Sequence, residues 1–123
     1  MDSSVSASSK ILENIAQYKK GSYTDAIEKL KNLPEERKNI FYKNYYIGLS
    51  YLANKETRNA IPYLKNASNT FSPILKQKAT WYLALAYLRN GDKTEAMQIF
   101  EKYGSDNKSI YHKQAKDVLK IIR

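Results

Sequence analysis

Residues 80–103 read TWYLALAYLRNGDKTEAMQIFEKY, and this stretch decides the fold. Leu83, Ala84, Tyr87 and Leu88 recur at three- and four-residue spacing and would lie on one helical face. Gly91 then supplies a left-handed stop, and Asp92 with Glu95 has the spacing of a capping box that starts a second helix. The stretch therefore predicts two helices joined by a tight turn.

Working outward, the same pattern returns twice. DAIEKL, NAIPYL and EAMQIF place Ala26, Ala60 and Ala96 in register at separations of 34 and 36 residues. Upstream of each lies a helical segment ending in an aromatic, Tyr18, Tyr51 or Tyr87. A period of this length is the mark of stacked helical hairpins, each burying its apolar face against its neighbours.

In the second unit, residues 41–67, the packing face is Ile47, Gly48, Tyr51 and Leu52, answered by Ala60, Leu64 and Ala67. Its turn has Lys55 where the third unit has Gly91, so Asn54 is expected to take the left-handed conformation. Pro62 removes a helix hydrogen bond and predicts a mild kink. In the first unit Ile11, Ile15 and Tyr18 precede Gly21, and Ser22 with Asp25 reads as a cap for the next helix.

The segments NLPEE (32–36) and FSPIL (71–75) put a proline at a helix start and mark the boundaries between units. After Tyr103, GSDNKS breaks the pattern. From Ser109 on, Ile110, Ala115, Val118, Leu119 and Ile122 share a face, as a closing helix would need.

The predicted organisation is a Ser-rich lead-in over 1–9, hairpins over about 10–33, 35–69 and 73–103, and a capping helix over about 107–122. These spans total about seven helices and no strand. The lead-in reads as the stub of a linker from a longer chain, one that could be anchored in a membrane with this part in the cytoplasm or periplasm.

These residues resemble the tetratricopeptide repeat (TPR) family. Its unit has a small residue in the first helix, an aromatic three further on, glycine at the turn and a small residue in the second helix. Ala84, Tyr87, Gly91 and Ala96 match in the third unit, and Gly48, Tyr51 and Ala60 in the second. In the first, Tyr18, Gly21 and Ala26 match, while Ile15 stands where a small residue is usual. The resemblance implies an all-α right-handed superhelix of antiparallel hairpins, used as a scaffold that binds other proteins.

In such a stack the first helix of each unit lines a concave groove. Here the groove would present Leu12, Ala16 and Lys19, then Tyr42, Tyr45, Leu49 and Leu52, then Lys78, Trp81, Tyr82, Leu85 and Arg89. Trp, Tyr and Arg dominate binding energy at interfaces, so these residues are candidates for contact with an extended peptide or a helix. Aromatics at helical spacing also serve as core, and Trp81 and Tyr45 carry that reading as well. Of the residues with which some members of the family clamp a chaperone's C-terminal carboxylate, only Lys78 has a counterpart here, so no chaperone-tail site is expected.

Catalysis has little to build on. Cysteine is absent and His112 is the only histidine, which argues against a thiol nucleophile and a Cys- or His-built metal site. Asp117 is five residues from His112 and off its helical face, and Glu35 and Glu36 diverge as neighbours on a helix. No phosphate-binding glycine loop occurs, so no cofactor or metal is expected.

The chain has 21 Lys and Arg against 12 Asp and Glu, a net charge of +9, which favours acidic partners. The basic residues are spread along every predicted helix. No recurring polar pair provides a base code, so no specific nucleic-acid site is expected, although a basic nucleic-acid-binding repeat is the weakest of the alternatives. Packing against a second copy as a homodimer is the other. No apolar run approaches the roughly 20 residues that span a bilayer.

Overall fold

The computed structural model describes residues 21–33 and 40–123. Six helices form there: α1 (Tyr23–Lys31), α2 (Ile40–Ala53), α3 (Thr57–Ala67), α4 (Pro73–Arg89), α5 (Lys93–Gly104) and α6 (His112–Ile122). No strand occurs among the described residues. The fold is all-α, and the expected first helix, with Leu12, Ala16 and Lys19, lies outside the described residues.

Each helix packs on the next in chain order, and α2 also touches α4. Helices joined by short turns fold back on themselves, so α2–α3 and α4–α5 are hairpins with α2 and α4 running the same way. The small residues set how closely they approach. Gly48 on α2 faces Leu64 on α3, and Ala60, Ala67, Ala84 and Ala96 are fully buried.

Two adjoining apolar clusters fill the stack. One gathers Leu30 of α1, Ile47 of α2, Leu64 of α3 and Leu83 of α4, among others. The other holds Trp81, Phe100, Tyr103, Ala115 and Leu119 from α4, α5 and α6. At the near end, the Lys31 ammonium lies 5.1 Å from the Tyr51 ring centroid and 5.5 Å from that of Tyr63. It also donates a hydrogen bond to the Tyr51 hydroxyl, which holds the Lys31 pKa above its ordinary value.

The two hairpin turns are built alike. In α2–α3 the Glu56 amide donates to the Tyr51 carbonyl at 2.8 Å and the Lys55 amide to that of Leu52 at 3.0 Å. In α4–α5 the Asp92 amide donates to Tyr87 at 2.8 Å and the Gly91 amide to Leu88 at 3.2 Å. Both are Schellman closures, which need a left-handed residue just past the helix.

Gly91 takes that conformation with φ of 88°, and Lys55 takes it with φ of 64°. The expectation for Asn54 is therefore corrected. Hydrogen bonding puts the strain on the residue in the Gly91 register whatever its side chain. Asn54 instead donates from its side-chain amide to the Glu56 carboxylate at 3.0 Å, and Asn90 does the same to Asp92 at 2.8 Å.

That pairing also corrects the expected capping box. Asp92 is the N-cap of α5, but its carboxylate makes no cap hydrogen bond. Ser22 likewise caps α1 in position only. Ser72, before Pro73, is a cap whose hydroxyl accepts from the Leu75 amide at 3.4 Å.

The closing helix starts at His112 because the segment before it is held by a side chain. The Gln77 amide oxygen accepts from the Ser109 hydroxyl at 3.0 Å and from the Ile110 amide at 2.9 Å. Ala115 and Leu119 then cover the second cluster, with Ile110 left exposed.

Candidate protein-binding groove

The groove is formed where α2 and α4 lie side by side. Both are apolar around most of their circumference, because each packs against its hairpin partner and against the other. At their C-terminal ends they part to leave an open cleft of about 600 Å³ lined by Leu49, Leu52, Ala53, Tyr82, Leu85, Leu88 and Arg89. Its walls are side chains of mostly hydrocarbon character, with one cation at the mouth. The Arg89 guanidinium is pinned across that mouth by donating to the Leu52 carbonyl at 3.2 Å.

Beside the cleft, tyrosine rings continue along the two helices. Tyr45 meets Tyr46 edge to face at 5.1 Å and Tyr82 at 6.2 Å between centroids. Tyr111, ahead of α6, has its pKa pushed up to about 12, first by burial and then by the nearby Tyr82 and Tyr103. Burial raises Tyr46 as well. Tyr46 and Tyr111 therefore stay neutral at physiological pH.

Of the residues marked from sequence, Leu49, Leu52, Tyr82, Leu85 and Arg89 line this one cleft. Tyr42 and Lys78 are exposed near the other end of α2 and α4. Tyr45 and Trp81 do not line the cleft; they are 6% and 7% exposed. Trp81 stacks on Tyr111 with centroids 4.7 Å apart and meets Phe100 edge to face at 5.4 Å. Tyr45 and Trp81 are 36 residues apart and occupy the same inward register.

Ala53 and Leu88 line the cleft without having been marked. The signal for them was present, since they fall three or four residues after Leu49 and Leu85 on the same stripe. Tyr46 was also passed over, although it stands 36 residues before Tyr82 and shares its register.

Among the described residues no group of three His, Cys, Asp or Glu side chains could hold a metal ion. No described helix is long and apolar enough to cross a membrane.

No curated protein and no solved structure matches the chain. Residues 78–107, which run from α4 through α5 into the loop beyond, match the family model for the tetratricopeptide repeat, in support of the likeness suggested by Ala84, Tyr87, Gly91 and Ala96.

Proposed function

We propose that the chain is a protein-interaction scaffold whose cleft between α2 and α4 takes a segment of a partner protein. One observation carries the reading: an open, largely hydrocarbon-walled cleft with a single pinned cation, bounded by a hairpin that matches the TPR model. The role is binding rather than catalysis. Leucine walls supply affinity through apolar burial, and the positive balance of the chain favours an acidic partner.

The test compares what wild-type protein retains from extracts of its source cells with what a Leu85→Gln variant retains. A partner held by wild type and lost from the variant supports the cleft. Circular dichroism confirms that the variant is folded, and Arg89→Glu, at an exposed position, repeats the test without touching the core. A partner retained by both variants would move the function to another surface.

A second reading, self-association, has its own observation. Phe71 is 97% exposed in the α3–α4 connection, and Ile74 follows it at 60%. Light scattering on the purified protein, with Phe71→Ser as control, separates a dimer built on these residues from a monomer.

A further inference from the structure

The stripe that lines the cleft continues from it toward the N-terminal ends of both helices. On α4 it is Lys78, Tyr82, Leu85 and Arg89, at offsets of four, seven and eleven residues. On α2 the same offsets give Tyr42, Tyr46, Leu49 and Ala53, each 36 residues earlier. Offsets of this kind keep side chains on one helical face, so two helices running the same way present matching ridges with a groove between them.

Neither helix carries an Asp or Glu. The charged side chains of α2 and α4 are Lys43, Lys76, Lys78 and Arg89. Lys43 is buried and donates to the Leu33 carbonyl at 2.9 Å, which leaves Lys78 and Arg89 as the cations on the groove stripe. The acids nearest in sequence, Glu56 and Asp92, sit in the turns beyond the helix ends and are engaged by Asn54 and Asn90.

The cleft walls also discriminate between backbone conformations. Five of the seven lining residues, Leu49, Leu52, Ala53, Leu85 and Leu88, offer no side-chain hydrogen-bond partner, and with Tyr82 and Arg89 alone able to bond, an extended peptide would bury most of its amides and carbonyls unsatisfied. A helix satisfies its own backbone and can set an apolar ridge into the groove.

Resting on the reading of the cleft above, we infer that its occupant is an amphipathic acidic helix laid along α2 and α4, with carboxylates at both ends for Lys78 and Arg89. The two cations are eleven residues apart, about 16 Å along α4. The partner helix therefore carries Asp or Glu about eleven positions apart, with large apolar residues between them at helical spacing.

The experiment selects a displayed library of random 16-residue peptides on the whole protein, then measures synthetic copies of the enriched sequences by fluorescence anisotropy and circular dichroism. The expected peptides have the acidic pair and the apolar ridge, gain helicity on binding, and lose about tenfold or more in affinity to Lys78→Glu or Arg89→Glu. Replacing the peptide's acid with lysine should recover binding to the charge-reversed protein. Peptides that need Leu85 but contain proline at their centre, or ignore both charge reversals, would overturn the acidic helix and leave the cleft as a peptide site. A library with no peptide sensitive to Leu85→Gln would overturn both readings.

Discussion

The indole of Trp81 lies flat on the ring of Tyr111, with centroids 4.7 Å apart and planes within 3° of parallel. The contact fastens α4 to the approach of the closing helix, and Phe100 of α5 meets the same indole edge on. Removing the indole leaves a hole in a cluster shared by three helices. Trp81→Ala is expected to cost about 3–5 kcal/mol, read as a lower midpoint in thermal or urea denaturation. Because Trp81 is the only tryptophan, Tyr111→Ala should shift the fluorescence of the intact protein directly.

Gly48 is required by proximity. A β-carbon there would lie 2.6 Å from Leu64 Cγ, 2.7 Å from Cδ2 and 3.3 Å from the Leu64 backbone nitrogen, and Leu64 is fully buried. Gly48→Ala should therefore push α2 and α3 apart and destabilise by about 1–3 kcal/mol, despite alanine's better helix propensity. Combining it with Leu64→Ala should cost less than the sum of the two single changes, which a double-mutant cycle would detect.

The two Schellman turns make a matched pair of experiments. Lys55 holds φ of 64°, a conformation that costs a side-chain-bearing residue about 1 kcal/mol, so Lys55→Gly should raise stability by up to that amount. Gly91→Ala should lower it by a similar amount, since a β-carbon there meets nothing within 4 Å and the cost is backbone strain alone. Equal denaturation midpoints for Lys55→Gly and wild type would sink this account of the turns.

Much of the fold was legible because its signals are local and repeated. Ala60 and Ala96 recur at helix crossings, and Gly91 ends α4 in the left-handed conformation that its turn needs. The site was harder to read. The helices α2 and α4 are apolar on nearly every side, so periodicity does not distinguish a face that packs from one that lines a groove. Neighbouring residues on a helix point about 100° apart. Tyr45 was therefore marked in place of Tyr46, although Tyr45 shares the inward register of Trp81. The turns were misread for another reason: asparagine, lysine and aspartate can all serve several turn roles, and the hydrogen bonds to Tyr51 and Tyr87 decide among them.

Alkaline titration reaches this same aromatic layer. Tyr46, Tyr103 and Tyr111 all have raised pKa values, chiefly because burial disfavours the phenolate, and Tyr111 is moved from 10.0 to about 12. In the unfolded chain the Tyr111 phenol ionises near its ordinary value, while the folded protein still holds the proton. Its contribution is thus fully present below about pH 10 and is lost as pH rises through the interval to 12. The denaturation midpoint should fall over that window. Tyr111→Phe, which has no proton to lose, should flatten the fall without abolishing it, because Tyr46 and Tyr103 remain. Absorbance of tyrosinate during the titration should show a late-ionising phenol that disappears in the variant; a Tyr111→Phe titration identical to wild type would contradict the assignment.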